Sequence, residues 1–272
     1  MNAIEHNRYT EAWTNFGLSA APPRAVLVIS AHSFVNSTAV TAMAQPRTIH
    51  DFYGFPEELF AVQYSAPGAP DVAAEVAEIV KPEWVGLDYD SWGLDHGTWS
   101  VLCHVFPKAD VPVIQLSINE QKPLEYHLNL GARLAPLRRS GVLIIGSGNV
   151  VHNLRAIDWS QPDDGFGWAH RFDEAARDLL ATTPGNVLQL QDHPDFERAV
   201  PTLDHFLPLV YIAALGDAAG CSADVLIEGY TMGSLSMTAY SIESRCRKGA
   251  EDTGPPPPLP SSDLVPSDEA NV

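Results

Sequence analysis

Four histidines stand where segments of the chain end, and imidazole is the side chain best suited to bind a metal or move a proton near neutral pH. His32 closes the apolar run VLVISAHSF (Val26–Phe34), and His96 lies in WGLDHGTW, a loop rich in glycine and aromatic residues. His152 follows the run VLIIGS in GSGNVVHNL, and His205 lies at the start of a helical pattern, in TLDHFLPLVY. A single histidine at the end of a strand is an ordinary capping or core residue. Four of them in loop or terminal contexts, with no regular spacing, match a mononuclear metal site assembled from distant segments, as iron and zinc sites commonly are. His6, His50, His104, His127, His170 and His193 read as surface or satisfied core residues.

Competing chemistries lack their motifs. GSGNVV begins like a dinucleotide fingerprint, but Val151 stands where the third glycine is needed. The sequence contains no G-x-S-x-G elbow, no H-E-x-x-H and no P-loop. Cys103, Cys221 and Cys246 form no close pair, which argues against a disulfide framework and a cysteine-rich zinc site. A formal net charge of −18 disfavours a nucleic-acid partner, whose phosphates are met by Lys and Arg. Neither a long apolar span nor a basic start followed by an apolar stretch is present, so the expectation is a cytoplasmic protein with no membrane partner.

The elements that must position these histidines alternate in type. β-rich apolar runs occur at Ala25–Ser30, Val111–Ser117 and Val142–Ser147, with the alternating Ser234–Ile242 as a fourth. Helical patterns fall at Asp71–Val80, Leu124–Arg139, Gly167–Ala181 and Thr202–Gly216. In the last of these, Pro208 sits early enough for the first turn to accept it. Continuous apolar strands between helices predict an α/β fold: a single domain over 1–245 with a central mixed sheet covered by helices on both faces. From 246 to 272 the sequence turns rich in proline and reads as a disordered tail, whose PPPPLP is a weak candidate ligand for an adaptor domain.

SAHSF, TIHDFYGFP, YSAPGAP, WGLDHGTW, ADVPVIQLSI, GSGNVVHNLR, DHFLPLVYIAALG and EGYTMGSLSM follow one another in this order. Together they resemble the class III extradiol ring-cleavage dioxygenases, in the DOPA-dioxygenase-type branch with the catalytic B-subunit fold, over about residues 2 to 242. The resemblance implies a single non-haem metal, Fe(II) in active enzymes and Zn(II) in many isolated proteins. It implies that His32 and His205 are metal ligands, and that His152 is a further ligand or the acid/base beside the metal. By the same resemblance His96 lines the pocket and contacts the substrate or dioxygen, and the partners are a catecholic, DOPA-like aromatic and O₂. Such chemistry needs few protein ligands on one face of the metal, which leaves positions open for two catechol oxygens and O₂.

The chain departs from the family at its start. The family opens with a strand and a Gly-His-Gly-Ser-Pro motif whose histidine is another ligand, whereas Met1 and Asn2 here align just beyond it. The favoured expectation is a start assigned downstream of the true one; the alternative is a truncated chain keeping only His32, His152 and His205. Two other readings compete with ring cleavage: a non-catalytic binding or scaffold protein that keeps the fold, and a zinc hydrolase using the same histidines. Trp92, Trp99 and Phe55 are candidates for stacking on an aromatic substrate, and the loops 54–59 and 159–168 are expected to shape its pocket.

Overall fold

The computed structural model describes residues 2–242. The tail expected from 246 onward, and the domain border at 245, lie outside the described residues. The main strands are β1 (Ala25–Val35), β2 (Ala39–Thr41), β3 (Gly86–Asp88), β4 (Val113–Asn119) and β5 (Val142–Ser147). They form one sheet in the order β3-β2-β4-β1-β5. The sheet is mixed, because β1 pairs in parallel with β4 and β5, and β2 in parallel with β3, while β2 runs antiparallel to β4.

The helices are α1 (Arg8–Ser19), α2 (Glu57–Phe60), α3 (Pro70–Ile79), α4 (His96–Val105), α5 (Leu124–Arg139), α6 (Gly167–Thr182), α7 (Phe196–Ala199) and α8 (Leu207–Ala218). β1 shows why both faces of the sheet must be covered. Successive side chains of a strand point to opposite faces. Ala25, Leu27 and Ile29 enter a core with Leu130 and Leu134 of α5 and Val210 and Tyr211 of α8. Val26 and Val28 enter a second core with Trp99, Leu102 and Val105 of α4. Every one of these five β1 residues is at most 1% exposed, so the uninterrupted apolar run follows from double-sided burial.

Several boundaries differ from the sequence expectation. β1 continues past Ser30 to Val35, but its register with β4 shifts between Ile29 and Phe34. His32 therefore sits inside an irregular stretch of the strand and not beyond its end. The helix expected from Thr202 begins at Leu207, which places Pro208 in the first turn and leaves His205 on the approach. Ser234–Ile242 is not a fourth strand of the central sheet. It divides into β8 (Leu235–Ser236) and β9 (Ala239–Ser241), which pair with β7 (Tyr230–Thr231) and β6 (Asp224–Ile227) in two small antiparallel sheets. No helix among the described residues is long and apolar enough to cross a membrane.

Candidate metal centre and active site

Four segments deliver the four histidines to one wall of a cavity of about 2320 Å³. His32 comes from the irregular part of β1, where its N–H donates to Ser30 Oγ at 3.3 Å. His96 is the first residue of α4, whose cap Asp95 accepts from the Thr98 N–H at 3.1 Å. His152 lies in the turn after β5; its N–H donates to the Ala199 carbonyl at 2.9 Å, and it bridges to Leu235. His205 precedes α8, and its carbonyl accepts the Asn149 N–H at 3.1 Å.

The imidazoles form a row. Ring centroids are 3.7 Å apart for His96 and His32, 5.2 Å for His32 and His205, and 3.4 Å for His205 and His152, the last pair stacked within 5° of parallel. Rings this close resist a second positive charge among them. Burial, together with neighbouring His96, brings the His32 pKa down to about 4. Burial likewise lowers His152, and lowers His205 well below the ordinary histidine value. Neutral imidazole is the form that donates a lone pair to a metal.

Hydrogen bonds settle which nitrogen of two rings is free. Asn149 donates its amide to the Ser236 carbonyl at 2.7 Å, so its Oδ1 is the acceptor for His205 Nδ1–H at 3.0 Å. Asp51 Oδ1 accepts from both the N–H and Nδ1 of His96, at 3.0 and 2.9 Å. Nε2 of each ring is left with its lone pair, the arrangement that an outer partner imposes on a ligand or base. Burial pushes Asp51 up, but the bonds from the His96 side chain and backbone outweigh it and hold the carboxylate below its usual range.

Asp51 is the functional residue that sequence reasoning missed. Its second oxygen lies 3.5 Å from His32 Nδ1, so one carboxylate serves two imidazoles. The signal was present in TIHDFYGFP, one residue after His50. His50 itself is tied to the Val62 carbonyl at 2.9 Å. By distance alone, His32, Asp51 and His96 form a candidate metal cluster, with donor atoms all within 4.8 Å of one another. Against that trio as a ligand set, Asp51 already accepts two hydrogen bonds from His96. The other end of the row offers an unoccupied donor: Asp204 Oδ1 is buried with no hydrogen-bond partner, and Asp204 Oδ2 lies 4.0 Å from His205 Nε2. Three neutral imidazoles beside an unsatisfied carboxylate oxygen suit a divalent transition metal.

Aromatic and apolar side chains line the cavity beside the histidines. Phe52 meets His96 edge to face at 5.2 Å, Phe55 packs on Phe52 at 5.4 Å, and Leu154, Pro162, Met232 and Leu235 complete the rim. Of the expected stacking residues, Phe55 and Trp99 line the cavity and Trp92 does not. Trp99 is a fully buried residue whose indole N–H is committed to the Ile49 carbonyl at 2.8 Å, whereas Phe55 is exposed.

Two close approaches make the arrangement possible. A Cβ on Gly97 would collide with Ser30 Oγ and stand 3.0 Å from His32 Cδ2, so only glycine lets α4 start against this stretch of β1. On the far side, Asp173 of α6 accepts from Tyr230, Ser236 and Thr238 at 3.0, 2.6 and 2.7 Å, which fastens the small sheets beside His152.

Known proteins share this architecture. Residues 5–241 match the family model described as the catalytic LigB subunit of aromatic ring-opening dioxygenase. The chain is 42% identical over 247 residues to a 4,5-DOPA dioxygenase extradiol of Escherichia coli (strain K12), covering 89% of this chain and 90% of that protein. A 4,5-DOPA dioxygenase extradiol of Mirabilis jalapa is 35% identical over 220 residues, covering 78% of this chain and 80% of its own length. The crystal structure of an uncharacterized Escherichia coli K12 protein superposes with a TM-score of 0.76 at 37% identity, covering 87% of this chain and 93% of that one. The chain accordingly belongs to the LigB family of aromatic ring-opening dioxygenases, a family of oxidoreductases that act with O₂.

Proposed function

We propose that this dioxygenase opens the ring of a catecholic, DOPA-like substrate at a divalent metal held by His32, His152 and His205. The observation that carries the reading is the row of four imidazoles, with Asp51 fixing the proton on the one farthest from the stacked pair. Fe(II) bound by the three histidines would supply the redox contact between the aromatic diol and O₂; Zn(II) fits the same donors but cannot exchange electrons.

The side chains have separable tasks. His96 Nε2 accepts a phenolic proton as the diol seats, and Asp51, hydrogen-bonded to Nδ1, stabilises the imidazolium that results. The same proton returns to the product when the carbon–carbon bond beside the diol breaks. Both oxygen atoms of O₂ end in that product, so no outside reductant is needed. His152, buried and neutral, acts as ligand or as a second proton acceptor. Phe52 and Phe55 present ring edges to the substrate ring and, with Leu154 and Pro162, keep water from it.

Anaerobic loading with Fe(II), followed by DOPA or simple catechols and an oxygen electrode, tests the reading. Oxygen uptake with a yellow ring-opened product is the expected result. Iron bound at one equivalent with no uptake from any catechol would remove it in favour of a binding protein with the same fold.

A further inference from the structure

Behind the imidazole row lies a hydrogen-bond network that capping alone does not explain. Asp95 is fully buried, and its Oδ1 accepts from Ser30 Oγ at 2.7 Å and from the Thr98 N–H at 3.1 Å. Its Oδ2 accepts from Gln115 Nε2 at 2.6 Å. Gln115, 1% exposed in the middle of β4, accepts through Oε1 from Thr98 Oγ1 at 2.6 Å and from the Asp95 N–H at 3.2 Å. The Gln115 N–H donates to Thr41 Oγ1 of β2 at 2.9 Å. Ser30 Oγ in turn receives the His32 N–H.

An exposed Ser, Asn or Asp would cap α4 equally well. Here a carboxylate and an amide are buried together, with neutral hydrogen-bond partners only, and burying charge without a cation is costly. What the pair adds is reach. Asp95 precedes His96 in the chain, touches the backbone of His32 through Ser30, and is anchored to a central strand through Gln115. We propose that Asp95 and Gln115 are positioning residues: a geometric clamp that holds His96 and His32 at their working separation, through the pattern of hydrogen bonds and not through the negative charge at position 95.

This inference rests on the metal-site reading, and its test exploits the symmetry of the pair. In Asp95→Asn, an amide NH₂ would face the amide NH₂ of Gln115, two donors with no acceptor. In Gln115→Glu, two carboxylates would face each other. The double variant Asp95→Asn/Gln115→Glu exchanges amide and carboxylate and restores each hydrogen bond, with the charge moved from α4 to β4.

The readout is Co(II) titration, by affinity and by visible absorption band, below each variant's unfolding temperature. Each single variant should bind cobalt on the order of tenfold more weakly with an altered band. The double variant should return to within about threefold of the parent, with the parent's band. Singles that melt lower yet bind cobalt with the parent's affinity and band would overturn the proposal, leaving a purely structural network. A double variant that melts like the parent but stays weak would overturn it in the other direction, by showing that the charge itself matters. Should the singles not fold, Ser30→Ala cuts only the link to β1; it should still weaken cobalt severalfold, and an unchanged titration would sink the clamp. A parent chain that takes up no cobalt sinks the metal reading and the clamp with it, whereas parent binding with indifferent variants sinks the clamp alone.

Discussion

The two ends of the imidazole row are held in different ways. His32 and His96 sit on the sheet side, where side chains do the holding: Asp51 bridges the two rings, and Asp95, Ser30 and Gln115 tie their backbones to β1 and β4. His152 and His205 sit on the side of the loops and small sheets, where main-chain bonds to Ala199 and Asn149 and the bridge to Leu235 do most of it. There Asp204 also keeps a buried oxygen without a partner. A half whose polar groups are already satisfied is rigid before any ligand arrives; a half with an unsatisfied carboxylate gains a partner when a cation comes. On the proposed reading, His32 at the joint of the two halves shares metal capture with His152 and His205, while proton handling falls to His96 and Asp51.

Mutations can break that division. His205→Ala should cause the largest loss, abolishing metal retention by more than the roughly 10–100-fold that follows loss of an outer partner; metal content after dialysis checks it, and parental retention would make the ligand assignment wrong. Asp51→Asn should cut turnover by about 10²–10³-fold while metal content stays near one equivalent, since both hydrogen bonds of Asp51 go to His96 and its approach to His32, at 3.5 Å, is the looser contact. If Asp51→Asn instead strips the metal as His205→Ala does, then His32, Asp51 and His96 form the true cluster and the two halves exchange roles. His152→Ala should lower kcat more than it lowers metal affinity, and the reverse order in a paired titration and rate measurement would make it chiefly a ligand.

Smaller effects sharpen the same contrast. Asp173→Asn should weaken the grip on Tyr230, Ser236 and Thr238 and cost about 1–3 kcal/mol in denaturant unfolding, with the His32–His96 half unaffected. The metal-free chain should also lose stability as pH falls from about 6.5 toward about 4. His32 titrates near 4 when folded and near 6.5 when unfolded, so in that window the unfolded chain binds the extra proton and acid favours it. Urea midpoints at pH 7, 5.5 and 4.5 would show the decline, and a flat profile would mean that the row tolerates charge.

Legibility from sequence followed the same divide between strong local pattern and contact in space. Val142–Ser147 and Leu124–Arg139 were readable to the residue, one as an apolar β-rich run and the other as a long helical repeat. β2 and β3, three residues each, carry too little pattern to register, and their strand character comes from the neighbours they pair with. α4 looked like a loop because its first residues are His96 and Gly97 after a Trp-Gly stretch. His32, His96, His152 and His205 announced themselves by residue type and placement. Asp51 did not, because a lone carboxylate in a loop means nothing until folding brings it against a histidine 45 positions away.

Gly97 shows how one close approach outranks helix propensity. Helix propensity alone would reward alanine there by about 1 kcal/mol. Yet the added methyl would press on Ser30 Oγ and the edge of His32. Ser30 Oγ is already committed to Asp95 and to the His32 N–H, so the methyl has no soft neighbour to displace, and alanine at 97 should cost fold and site together. A thermostabilised descendant of this chain would have to find its gains elsewhere on α4, and alanine at 97 should be missing from such a library.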